Sequence, residues 1–210
     1  MLRWPIAAKE PSAIEAIETN TTICCHCGVI SGNAAIGHMG FALIGLAAAT
    51  PEGVQGVIVY MAIYLAMTLG TFAGILAMRL RGMYVENISD LAGLARTNGP
   101  MAFFLGVMMF SLAGIPPLAG FFAKYFVFLA AIKAGLYTLA VLGVLASVVG
   151  AYYYLSIVKV MYFDEPAGTF EPMPNALKVV LGVCGVLMIL FIAWPSPLVL
   201  AAAAAAKSLF

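Results

Sequence analysis

Charge is placed in this chain at the ends of long uncharged runs. No Asp, Glu, Lys or Arg lies between Glu18 and Glu52, Glu52 and Arg79, Arg96 and Lys124, Lys133 and Lys159, or Lys178 and Lys207. Each gap is long enough for a membrane-spanning helix, which needs about 20 apolar residues. With 64% hydrophobic and 9% charged residues, the chain has too little polar material for the surface of a soluble domain, where charge takes roughly 25%. The fold expected is all-α, a polytopic bundle of about five membrane segments. They run from Ala34 to Ala49, from Val54 to Met78, from Pro100 to Lys133, from Leu136 to Tyr162 and from Ala176 to Ala193. A further apolar stretch, Leu198 to Ala206, is too short to span and is expected as a frayed helical tail. Residues 1–33 form a separate, non-membrane segment, and 34–210 form the membrane region.

The third segment carries the sharpest local signal. It reads Ser111-Leu-Ala-Gly-Ile-Pro-Pro-Leu-Ala-Gly-Phe-Phe-Ala-Lys124. One straight helix from Pro100 to Lys133 would be about 51 Å long, against a hydrocarbon core of roughly 30 Å. The segment is therefore one helix interrupted at Gly-Ile-Pro-Pro or a hairpin turning there. Pro116 and Pro117 have no N–H, so carbonyls one turn earlier lose their partners and need water or protein around them. Two halves of about 24 Å would barely span, which favours the interrupted helix. Lysine and arginine divide seven to two across the membrane under either arrangement and do not distinguish them. In the interrupted arrangement Arg3, Lys9, Arg79, Arg81, Arg96, Lys159 and Lys178 share the cytoplasmic side.

Lys124 is the candidate proton carrier, because intramembrane ionisable groups are functional by default. The bland alternative is a lysine that snorkels to the interface. Its helix is expected to run on to Lys133, about 13.5 Å further, beyond the roughly 6 Å reach of a lysine stem. No acidic residue lies in any span, so water, backbone carbonyls or another polypeptide must meet the Lys124 charge. His38, in the first segment, is either a relay or a neutral histidine near the surface bonded to a carbonyl. Of the consecutive Tyr152, Tyr153 and Tyr154, at most one is expected to face a polar interior, and Tyr153 is the candidate. Tyr60, Tyr64, Thr68 and Thr71 share one side of the second segment; they read as interhelical glue rather than as a hydrated path. The cluster Cys24-Cys-His-Cys27 does not make a metal site, since four adjacent side chains do not close around one tetrahedral ion. There is no basic tract for nucleic acid.

From Ala35 to Phe210 the chain resembles the C-terminal part of the subunit N family of bacterial NADH-quinone oxidoreductase (respiratory complex I), one of the antiporter-like membrane subunits. The residues that carry the resemblance are Ile36-Gly-His-Met-Gly-Phe-Ala-Leu-Ile-Gly, Tyr60-Met-Ala-Ile-Tyr-Leu, the Leu-Ala-Gly-Ile-Pro-Pro run with Lys124, Ala151-Tyr-Tyr-Tyr-Leu and Val160-Met-Tyr-Phe-Asp-Glu-Pro. Such subunits contain two inverted repeats, each with an interrupted helix and a central lysine or glutamate. The resemblance implies that Lys124 is the lysine after the second interruption. It implies proton translocation coupled to NADH-to-quinone electron transfer, in the bacterial inner membrane, with other membrane-arm subunits and the lipid bilayer as partners. The first repeat has no counterpart here, and residues 1–34 look replaced, as after a frameshift or a mistaken gene start. The chain alone is not expected to pump. No redox cofactor is expected in it, for it lacks dinucleotide glycine fingerprints and cluster-spaced cysteines; NADH, FMN, iron–sulfur clusters and quinone would belong to the whole complex. The rival readings are a subunit of a multisubunit cation/proton antiporter and a non-conducting structural fragment.

Overall fold

The structure is a computed structural model that describes residues 35–208, apart from 81–82, 85–87, 167–169 and 171; for 79–80 and 83–84 it describes the backbone only. The Cys24–Cys27 cluster therefore lies outside the described residues, as does the rest of the N-terminal segment.

Among the described residues eight α-helices follow in order. They are α1 (Ala35–Ala47), α2 (Pro51–Ala77), α3 (Leu94–Thr97), α4 (Gly99–Ala113), α5 (Ala119–Lys133), α6 (Tyr137–Phe163), α7 (Asn175–Ala193) and α8 (Ser196–Lys207). Between α2 and α3 the chain makes a two-residue antiparallel ladder, Arg79–Leu80 with Met83–Tyr84, and one 3-10 turn, Ile88–Leu91. Three helices among the described residues, α2, α6 and α7, are long and apolar enough to cross a membrane on their own. Together with α1 and the α4–α5 pair they account for the five expected segments.

Local chemistry sets the ends. Thr50 caps α2 by accepting the Gly53 N–H at 3.1 Å, and Pro51 fills a first-turn position where its missing N–H costs nothing. Asn98 does the same for α4, ahead of Pro100. Lys133 is the last residue of α5. Large side chains such as Val141, Leu145, Val148, Val183, Leu187 and Leu190 stand exposed along α6 and α7. Outward apolar faces of this kind belong in lipid or against other membrane helices.

The third segment is one interrupted helix rather than a hairpin. Along α2, Gly56 lies against the α5 backbone at Phe126 and Val127, Gly70 against Met108, and Gly74 against Leu105 of α4. Rising residue numbers in α2 thus meet falling numbers that pass from α5 into α4 without reversal. A hairpin would make the two halves run in opposite directions along α2. The loop after α2 and the loop after α6 meet at one end of the bundle, where the Gly93 N–H donates to Val160 O at 3.2 Å and Gly93 packs on Pro166.

The expected frayed tail is instead a formed helix. Ala202 and Ala206 of α8 are buried, and Gln55 of α2 donates its side-chain amide to Val199 O at 3.2 Å. The Leu198–Ala206 stretch is too short to span a membrane, but the small side chains of its alanines let α8 lie close against α2.

Candidate functional site

The site begins with the end of α4. Gly114 takes a left-handed conformation (φ 81°), open to glycine at little cost. The Ile115 N–H then reaches back to Phe110 O at 3.2 Å and the Gly114 N–H to Ser111 O at 3.0 Å. This is the hydrogen-bond pattern of a Schellman cap, and it satisfies two of the carbonyls that a helix end leaves free. Two others, those of Leu112 and Ala113, remain.

Lys124, in the second turn of α5, takes both. Its Nζ donates to Leu112 O at 3.2 Å, to Ala113 O at 3.0 Å and to Ser147 Oγ of α6 at 2.9 Å. An ammonium has three N–H donors and no acceptor, so all three are matched, each to a neutral oxygen. The carbonyls supply the negative ends of their dipoles where, among the described residues, no carboxylate pairs with Nζ, and the Phe41 ring adds a face 5.0 Å from Nζ. Lys124 is 7% exposed, so the snorkelling alternative does not hold. Two glycines shape this contact. A side chain at Gly114 would meet the Lys124 stem, and one at Gly120 would collide with the Ser111 carbonyl. Ser111, fully buried, accepts the Gly120 N–H on its Oγ at 3.0 Å and donates to Met188 Sδ of α7 at 3.6 Å. It thereby ties the two half-helices to each other and to α7.

His38 forms a second centre. Its Nδ1 lies 2.7 Å from the Tyr60 hydroxyl and its Nε2 3.1 Å from the Tyr154 hydroxyl, with the Tyr64 ring 4.9 Å away between centroids. The ring is buried and bonded to side chains of α2 and α6, not to a carbonyl near the surface. Of a neutral imidazole's two nitrogens one donates and one accepts, and a hydroxyl can serve either.

The two centres share a cavity of about 650 Å³, lined by His38, Phe41, Lys124, Ser147, Tyr153 and Tyr154 among others. Phe41 stands between them, 6.1 Å from the His38 ring by centroid. No hydrogen bond joins Lys124 to His38 directly, so a proton passing between them would travel through water in the cavity. A second cavity of about 380 Å³ lies on the other side of Lys124, against Gly114, Ile115, Pro116 and Tyr125.

The tyrosine run departs from expectation. Tyr152 is 79% exposed, Tyr153 half-buried and Tyr154 7% exposed. Both Tyr153 and Tyr154 line the same cavity, whereas only one was expected to face inward. It is Tyr154 that bonds His38, because the backbone at 154 points along the α6 face turned toward α1. Among the four residues read as glue on α2, Tyr60 and Tyr64 surround His38, and Thr71 Oγ1 is buried without a hydrogen-bond partner. Ser147 was missed altogether. A single serine in an apolar helix carries no pattern, and only its register against Lys124, 23 residues away, reveals it.

Similarity to known proteins gives the family of the chain. Residues 32–150 match the family described as NADH:quinone oxidoreductase/Mrp antiporter, TM. NADH-quinone oxidoreductase subunit N of Beijerinckia indica subsp. indica is 67% identical over 175 residues, which cover 83% of this chain and 37% of that protein. Subunit N of Parvibaculum lavamentivorans is 61% identical over the same share of this chain and 36% of its own. The chain thus spans little more than a third of the length of the curated relatives it matches. Among solved structures, a chain of respiratory complex I from Thermus thermophilus with bound NADH aligns at 25% identity with a TM-score of 0.68, covering 83% of this chain and 38% of that one. A chain of the Mrp complex from Dietzia sp. DQ12-45-1b, 21% identical, shares the fold with a TM-score of 0.67 over 88% of this chain and 46% of its own. The chain belongs to the NADH:quinone oxidoreductase/Mrp antiporter membrane family, and with its apolar helices and bacterial subunit N relatives it is a multi-pass protein of the bacterial inner membrane.

Proposed function

We propose that this chain works as part of a proton-translocating membrane-arm subunit of NADH-quinone oxidoreductase, with Lys124 as the group that takes up and releases the proton. One observation carries the reading. A buried ammonium at a helix interruption has every donor matched to a neutral oxygen, between two cavities, with no carboxylate among the described residues paired to it. A lysine held this way can lose its proton to a neighbouring group without breaking an ion pair. His38, with hydroxyls on both nitrogens, is the relay on one side, and Tyr153 on the cavity wall is a further relay position. The partners are the other membrane-arm subunits and the bilayer. Electron transfer from NADH through FMN and iron–sulfur clusters to quinone takes place in other subunits of the complex, and this chain contributes proton movement to that translocase.

The subunit N names of relatives at 61–67% identity favour this over the cation/proton antiporter reading, although the family description includes both. Co-purification with redox subunits, rather than with cation-exchange subunits, separates them. The proton role is tested by Lys124→Ala in a whole complex carrying this sequence. With assembly confirmed by NADH oxidation, proton pumping per electron should drop sharply. A normal ratio would sink the proton-carrier role, and would leave a purely structural contribution.

A further inference from the structure

Lys124 and Ser147 are the two residues that line both cavities. Every other wall residue belongs to one cavity or the other. The hydrogen bond between Nζ and Ser147 Oγ, 2.9 Å long, is therefore part of the partition between the His38 side and the Gly114–Pro116 side. The rest of the Ser147 neighbourhood on α6, namely Ala146, Val148 and Val149, offers no side-chain polar group.

We infer that Ser147 is the positioning residue that keeps Lys124 in the wall between the two cavities through both of its protonation states. The inference rests on the reading of Lys124 as the proton carrier. Its physical basis is the different capacity of the three Lys124 partners. Leu112 O and Ala113 O can only accept. The ammonium offers three donors, and all three oxygens accept from it. After the proton leaves, the amine has two N–H donors and one lone pair. The two carbonyls can take the N–H groups, but neither can supply a hydrogen to the lone pair. Ser147 can, because a hydroxyl has one donor as well as acceptor lone pairs. Rotation of its O–H turns the same contact from Nζ–H···Oγ into Oγ–H···Nζ, with no heavy atom displaced and no proton exchanged. The amine thus stays anchored in the partition. With the hydroxyl removed, one donor of the ammonium or the lone pair of the amine would lack a protein partner. Nζ would then be drawn to water in either cavity, and access would no longer be separated.

The test uses the whole complex, in membranes, with NADH oxidation and proton pumping measured together. Ser147→Val and Ser147→Thr have nearly the same shape and differ in the hydroxyl. The threonine variant should pump like the parent. The valine variant should assemble and oxidise NADH but pump about tenfold less, the scale of one hydrogen bond to a charged donor. Ser147→Ala, which removes only the oxygen, should behave like valine and covers the case in which a β-branched residue hinders assembly. Normal pumping by both the valine and threonine variants would overturn the inference; if both are poor, normal pumping by Ser147→Ala would overturn it. Lys124→Ala, run alongside, separates the two levels. If it abolishes pumping while Ser147→Val pumps normally, only the role of Ser147 fails. If it pumps normally, the reading of Lys124 fails and Ser147 has nothing to position.

Discussion

Lys124 and His38 sit on the same cavity yet are held in opposite ways. Lys124 is anchored chiefly by main-chain oxygens made available by a helix interruption a few residues upstream. His38 is anchored wholly by side chains, the hydroxyls of Tyr60 and Tyr154, which come from helices 22 and 116 residues distant in sequence. The first arrangement is written into one segment and depends on backbone geometry. The second exists only when α1, α2 and α6 are packed together. A site of the first kind should fail outright when the backbone is disturbed and should depend on few side chains besides its own, here that of Ser147. A site of the second kind should fail gradually, one hydroxyl at a time.

The largest effect is expected at the backbone. Gly120 packs directly on the Ser111 carbonyl, so Gly120→Val forces the two half-helices apart. Overpacking of this type costs about 1–3 kcal/mol, and here it also breaks the Ser111 Oγ bond to Gly120 N–H. Little assembled complex should be recovered from membranes, as read by native gel. Normal assembly and pumping would show that the break does not depend on this contact. Gly114→Ala should be milder in assembly but harmful to pumping. A non-glycine residue in the left-handed region costs about 1–2 kcal/mol, and its Cβ would press on the Lys124 stem.

At the second centre, Tyr60→Phe and Tyr154→Phe each remove one hydrogen bond from His38. Each should cost about 1 kcal/mol and lower pumping severalfold, with the double variant worse than either. Tyr152→Phe is the control. Tyr152 is exposed, makes no contact with His38, and should leave pumping unchanged. If it matched Tyr154→Phe, the assignment of Tyr154 as the His38 partner would be wrong. Phe41 touches both centres, and Phe41→Leu removes a cation–π contact worth about 0.5–2 kcal/mol. Its effect should be small and confined to pumping.

Sequence reasoning reached these two centres unequally, for the same reason. The interruption was legible because proline and glycine act locally, and a lone lysine after it stands out against an uncharged run. Whether the segment crossed once or turned back was not settled by charge, which divided seven to two either way. The direction of α2 past both halves decided it. Labelling of single cysteines at Thr97 and Asp164 gives an independent check: they should react from the same side of the membrane, and opposite sides would restore the hairpin. His38 was noticed for its chemistry, but its partners were not legible. Tyr60 and Tyr154 were visible as tyrosines, and nothing in their spacing shows which one turns toward α1. Ser147 and Ser111 carried no signal, since a single hydroxyl in an apolar helix has no periodicity. The helix α8 was underestimated because a run of alanine shows no apolar pattern of its own, only a capacity for close approach that needs a neighbour to be seen.

Lys124→Arg in the assembled complex bears most directly on the central claim, that Lys124 changes its protonation rather than merely supplying a charge. Arginine keeps the positive charge and can donate to the same carbonyls, but it does not release a proton in any accessible range. With NADH oxidation and assembly verified, pumping per electron should be as low as in Lys124→Ala. Pumping restored to the parental ratio by arginine would contradict the account and would show that a fixed positive charge at this position is all that the subunit requires.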